Sequence, residues 1–375
     1  HMWVGNVEMH YRATDWKRHR HDSDKAYDSV ILHVVAKDDA PVRRTNGELI
    51  PQLVLEVSPQ FNADYASLVG ATIEVPCATK IKQVPHLTIV EWVEGLAFER
   101  LHGKVERIHQ LLDSFNGSWE DVCYVTLARN FGFGINNDAF ERLARRTPLR
   151  LLGKHSDSVL QIEALLFGQA GMLDAQKPGM DSYYNQLCTE YAFLSNKFQL
   201  TPMEKESWKL FRIRPQNFPY RRIAMLAQFI EGGFRMMNRI LEAEGEKEMR
   251  ALFEVELSGY GTKHYTLGKP NERATATLSR SSIDIILINT VAPLLYAYGE
   301  LTGNYEMTDK AIKLLEDLRA ESNSIVSHFV AYGIDCPDAL TSQALVQLKR
   351  EYCDARKCIY CKIGHHLLSK AARGE

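Results

Sequence analysis

The hydrophobic period of this chain changes once, near Pro85, and that change decides most of what it can fold into. Before it, residues 3–12 alternate, with Val7 and Met9 on one face and Glu8 and His10 on the other, the two-residue period of a strand. Residues 30–36 form a β-branched, almost continuously apolar run with His33 set into it, as a buried strand requires. Asn46-Gly47 predicts a hairpin turn leading to a strand over 49–57, with Pro51 at an edge or at its start, and the polar stretch 13–29 reads as a loop. After Pro85 the spacing is helical: 87–112, then 156–172, 180–197, 220–243, 281–299, 309–331 and 340–351. Asn116-Gly117 stops the first helix, and Ser118 with Asp121 starts the next. No strand is expected beyond about residue 80. The expected fold is therefore α+β: a small, mostly β domain over 1–84 and a large all-α domain over 85–375, with no repeated solenoid signature.

Composition narrows the function classes. At 375 residues the chain is long enough for two or three domains, and 45 basic against 47 acidic side chains leave no global field to steer it to a polyanion or a lipid surface. Any phosphate site must be local. The longest apolar run, 283–299, carries Asp284, Asn289 and Pro293, which argues against a membrane span, and a cytoplasmic location is expected. Seven cysteines without a secretory leader favour free thiols or metal ligands over disulfides. His1-Met2 reads as an expression scar, since the strand pattern already runs at Trp3, so a native upstream piece is expected to be missing.

Five of the thirteen histidines, His1, His10, His19, His21 and His33, fall at the N-terminus. Glu8-x-His10 on a strand sets a carboxylate and an imidazole side by side, and His19, His21 or His33 would complete three ligands around a divalent ion with an open position, while Asp15 and Asp24 are supporting candidates. The plainer alternative is a solvated loop over a hydrogen-bonded core histidine.

At the other end, Cys353, Cys358 and Cys361 with His365 or His366 form C-x4-C-x2-C followed by histidine, a candidate structural zinc site. One helix through Cys358 and His365 would hold its end ligands about 10 Å apart, so zinc requires a knuckle at 357–361 and a helix starting near Ile363. An iron–sulfur cluster would need Cys336 as its fourth ligand, and simple packing between helices is the third possibility. Arg212, Arg214, Arg221 and Arg222, interleaved with aromatics, are candidates to grip a nucleic-acid backbone, against the alternative of ion pairs with acidic helices. Gly132-Phe-Gly134 and Gly168-Gln-Ala-Gly171 lack the context of a phosphate loop and read as turns and close helix contacts, and no serine-hydrolase elbow or His-Glu-x-x-His is present.

The residues 3–10, Asp15-Trp16, His19, His21, Asp24, Tyr27 and 30–35 resemble an uncharacterised bacterial family, number 2851 of the domains of unknown function. The likeness continues through Asn130-Phe-Gly132, 168–171, 214–219, Arg222-Ile-Ala224, Ile288-Asn-Thr290 and 342–361. It implies an upstream Asp-rich stretch with Pro-Asp-Phe, which together with Glu8-x-His10 is similar to the PD-(D/E)XK nuclease signature. On that analogy Glu8 is a metal carboxylate and His10 stands at the lysine position, a departure, because a neutral imidazole serves as base or ligand but not as a fixed cation. The function expected is a metal-dependent (Mg, Mn or Zn) hydrolase of nuclease type with Glu8 and His10 as catalytic residues. The rival is a non-catalytic helical scaffold that recognises nucleic acid or protein.

Overall fold

A computed structural model describes residues 2–257, 259–271 and 275–373; His1 lies outside them. The chain divides into two compact units, residues 1–92 with 349–375, and residues 93–348. The tail that the sequence reading kept with the helices therefore belongs with the N-terminal residues.

In the first unit, β1 (Asn6–Arg12), β2 (Val30–Lys37) and β3 (Gln52–Val54) form one sheet in that order, and both pairings are parallel. A hairpin entry to β3 was expected. The turn at Asn46-Gly47 does form, closing an isolated antiparallel bridge between Arg43 and Leu49, but the chain then continues past Pro51 to run alongside β2, and Pro51 O accepts from His33 N at 2.9 Å. Pro51 thus lies just before an edge strand, where its missing N–H costs no ladder bond.

Parallel neighbours need a crossover of a dozen or more residues, and 13–29 supplies it. This segment is not plain loop: it holds the short helix α1 (Asp15–Arg18) and two 3-10 turns, His21–Ser23 and Lys25–Ser29. Trp16, 1% exposed, anchors it in a small core with Ala13, Val30, Val35, Val42 and Ile50. The crossover covers the Glu8/His10 face of β1. Its other face, where the apolar residues lie, stays open, with Val7, Met9 and Tyr11 at 52%, 66% and 71% exposure. The helix α2 (Pro59–Val69), capped by Ser58 on Phe61 N, packs against the C-terminal helix Lys362–Arg373.

The helix α3 (His86–Ser114) ends as the sequence predicts, with Asn116 and Gly117 at positive φ and Gly117 N donating to Leu112 O. In the second unit, Ser118 caps Trp119–Phe131, and helices follow at Asn137–Arg146, Val159–Gln169 and Ser182–Phe198. The expected helix over 220–243 is broken into Pro219–Ile230 and Met236–Glu242 by Gly232 and Gly233, both at positive φ. That over 309–331 is likewise split, into Tyr305–Asp317 and Ser324–Ala331. A small antiparallel pair, His264–Thr266 with Lys269–Pro270, is a strand element that the period did not reveal.

The apolar run near Pro293 forms the helix Arg280–Thr302, long and apolar enough to cross a membrane, with 78% of its apolar window buried inside the protein as a core element. Its residues Leu287–Val291 widen to π geometry. Pro293 cannot donate a backbone bond, and its ring would crowd the carbonyl of Asn289 in a regular helix. The freed Asn289 O accepts instead from Asn130 Nδ2 at 2.8 Å, which also reaches Thr290 Oγ1 at 2.8 Å. Gly168 fulfils the close contact expected of it: a Cβ there would stand 2.1 Å from the Tyr191 ring.

Candidate metal centre

The histidines converge through register. Glu8 on β1 pairs with His33 on β2, and His10 follows Glu8 on the same face. His10 Nδ1 lies 2.9 Å from His33 Nε2, and His10 Nε2 lies 3.1 Å from His19 Nδ1. Glu8 Oε1 is 3.7 Å from His10 Nε2 and 3.9 Å from His21 Nε2. Donor atoms of His10, His19 and His21 all fall within 4.8 Å of one another.

The crossover delivers the two outer imidazoles. His19 caps the C-terminus of α1, and Arg20 between His19 and His21 adopts φ 64°, a left-handed conformation that a non-glycine residue holds only when its surroundings enforce it. The next turn then carries His21 back over the sheet, where Tyr27 stacks on it at 3.6 Å and Trp16 meets it edge-on at 5.3 Å. Trp16 also meets His33 edge-on at 5.3 Å. The indole therefore walls both the outer and the inner histidine.

Burial lowers the pKa of His10, with a further push from His19 and His21 against the opposing pull of Glu8. Burial and the neighbouring His10 lower that of His33 in the same way. Both rings are neutral near pH 7 and carry lone pairs, the state a metal ligand requires. Proton placement is constrained. If His10 offers the Nε2 lone pair, its Nδ1–H donates to His33 Nε2, and His33 keeps its proton on Nδ1, which is buried without a partner. His33 is then the residue that orients His10 from behind.

Asp15 and Asp24 have other duties. Asp15 accepts from Arg12 N at 3.1 Å and pairs with Arg18 at 3.2 Å, while Asp24 is exposed and caps the second 3-10 turn through Ala26 N. The four arginines do not form one surface patch. Arg212 and Arg214 are exposed, whereas Arg221 and Arg222 are 2% and 1% exposed. Arg222 donates to Asn217 Oδ1 and Ser282 Oγ and lies 4.1 Å over the Phe133 ring, and Arg221 faces Gly261 O and the Tyr265 ring. Their aromatic neighbours hold them inside the helical unit, so neither lies open to a backbone phosphate.

In the cysteine tail the two candidate histidines differ in burial: His366 is half-buried and its Nε2 has no partner among the described residues. Cys353, Cys358 and Cys361 are buried, but His365 is exposed and its Nδ1 lies 3.4 Å from Ser369 Oγ. Cys336 lies in the other unit. A polar cluster that the sequence reading missed joins two family-like motifs: Gln343 Oε1 accepts from Arg100 Nε at 2.6 Å and Lys104 Nζ at 2.9 Å and its amide donates to Glu321, while Asn289 also meets Lys104 and Glu321. Sequence spacing of more than 200 residues hides it.

A family model described as "Protein of unknown function (DUF2851)" matches residues 1–324. The chain belongs to this family. Its matched span includes the histidine cluster and the Asn130–Asn289 contact and stops before the cysteine tail. No curated protein and no solved structure matches the chain.

Proposed function

We propose that this DUF2851 protein is a metal-dependent hydrolase of phosphodiester bonds in nucleic acid, with its reactive centre at the histidine cluster. The observation that carries the reading is the convergence of His10, His19 and His21 donors within 4.8 Å, with the Glu8 carboxylate beside two of them. A nitrogen-rich donor set suits zinc or manganese better than magnesium. A divalent ion held there would polarise a phosphoryl oxygen and lower the pKa of a bound water. His10, His19 and His21 would hold the ion, His33 would fix the ring of His10, and Glu8 would accept a proton from water. Lys17, Arg18 and Arg20, all exposed and flanking His19, favour an anionic substrate at this edge.

The test is cleavage of single- and double-stranded DNA and RNA in Zn2+ or Mn2+, beside Glu8→Ala and His21→Ala. Glu8→Ala should lose about 10²–10⁴-fold in rate, the range of a general base, and His21→Ala should weaken the metal dependence. Absence of cleavage with either ion, or an undiminished rate in Glu8→Ala, overturns the proposal.

A further inference from the structure

The cysteine tail does not act alone. Its turns, Asp354–Arg356 and Cys358–Tyr360, are fastened to a distant stretch of the same unit by Arg356, which holds φ 53° and donates from Nη2 to Ala71 O at 2.8 Å and from Nη1 to Ile73 O at 3.4 Å. This brings up the turn that carries Cys77. Cys77, Cys353, Cys358 and Cys361 are then all buried, at 9%, 7%, 7% and 6% exposure, and all are free thiols. Each of the four lies near enough to the other three for their charges to interact. Burial, with the neighbouring thiols adding to it, pushes the Cys77 thiol up to about 12 and raises Cys353 and Cys361, and burial alone raises Cys358, so uncomplexed thiols here are neutral.

The backbone between Lys357 and Lys362 takes the turn of a metal knuckle. The chain turns at Cys358–Tyr360, Cys361 N donates to Lys357 O, and the helix begins at Lys362, as a site built on C-x2-C requires. Backbone N–H groups of Ile363 and Gly364 are directed at the Cys361 sulfur. Gly364 leaves no room for a side chain, since a Cβ would stand 2.1 Å from Cys358 O. The buried Trp92 Nε1–H has no nitrogen or oxygen partner and lies against the same sulfur. Donors gathered around one sulfur stabilise it as a thiolate, and Lys349 beside Cys353 and Arg356 beside Cys358 supply positive charge for a tetrathiolate.

We propose that Cys77, Cys353, Cys358 and Cys361 form a tetrathiolate zinc site that ties residues 71–77 to the C-terminal tail, with Cys77 in the place of the histidine. Binding releases the four thiol protons to solvent and leaves zinc with no open position, so its role is structural.

The test uses the full chain purified without chelator. Elemental analysis should find zinc, and Co2+ exchange should give the intense sulfur-to-cobalt charge-transfer band of a four-thiolate site. Cys77→Ser should lose this metal, while His365→Ala and His10→Ala keep it, which separates the site from the histidine cluster. Should Cys77→Ser fail to fold, alkylation of the unmodified chain decides: Cys77, Cys353, Cys358 and Cys361 should be protected, and a chelator should expose those four while the packed thiols of Cys123 and Cys188 stay covered. Retention of zinc and the cobalt band in Cys77→Ser, their loss in His365→Ala, a metal-free chain with no cobalt band, or iron with labile sulfide in place of zinc would each overturn the assignment.

Discussion

Replacing Trp16 with alanine should unlock the sheet and the histidine cluster together. The indole is 1% exposed, donates from Nε1 to Arg43 O at 3.2 Å, and meets His21, Tyr27 and His33 edge-on. Burying a side chain of this size removes roughly 200 Å² from water, an upper bound of about 5 kcal/mol at ~25 cal/mol per Å². Alanine keeps the Cβ and the loop partly collapses, so about 3–5 kcal/mol is the expected loss, the usual range for Trp→Ala in a core. A loss of ~3 to 4 kcal/mol in local opening free energy accelerates amide exchange roughly 10²–10³-fold. The assay is hydrogen–deuterium exchange of β2, whose His33 N–H is bonded to Pro51 O. Trp16→Phe, which keeps an aromatic edge but loses the Nε1 bond, should cost about 1–2 kcal/mol. Acceleration of less than tenfold in Trp16→Ala would refute the reasoning, because it would show that the crossover is held by something other than the indole.

Two further outcomes follow from buried ionisable groups. Because burial lowers the pKa of His10 and His33 below the ordinary value of about 6.5, the unfolded chain binds protons that these folded imidazoles refuse. Stability of the N-terminal unit is therefore full above about pH 6.5 and falls as pH drops toward the lowered folded values; a flat urea midpoint between pH 7.5 and 5.5 would contradict this, and His33→Ala should reduce the slope. Among the described residues Arg222 has no carboxylate partner, its Nε is unsatisfied, and burial brings its pKa down to about 9. Arg222→Met keeps much of the volume and removes the desolvated charge, so it should leave stability within about 1 kcal/mol of the native chain or raise it, whereas a loss above ~3 kcal/mol in thermal unfolding would show that the bonds to Asn217 and Ser282 carry the site.

Much of this architecture was readable where the signal is periodic. The alternation around Glu8 and His10 placed both on one face, and the apolar run around His33 gave its neighbour, so the centre of the histidine cluster follows from period two and pairing. The direction of pairing did not follow. Asn46-Gly47 carries a hairpin turn wherever it occurs, and nothing local tells that the chain will pass beyond the partner strand and come back parallel. Arg221 and Arg222 looked like a basic surface because their shielding rings, Tyr265 and Phe133, lie far away in sequence. The same distance concealed the nearness of Cys77 to Cys353, which arises only once α2 and the C-terminal helix have packed.

The division of the chain also fixes an order of events during synthesis. Residues 93–348 are contiguous and can complete their core as soon as they emerge. Residues 1–92 emerge before 93–348 yet cannot finish until 349–375 follow, so one part of this unit waits through the synthesis of the whole helical unit. Through that interval the thiol of Cys77, buried in the finished unit, remains available to the wrong neighbours. A nascent chain stalled before residue 349 should therefore depend on holding chaperones, and translation through 349–375 should end that dependence.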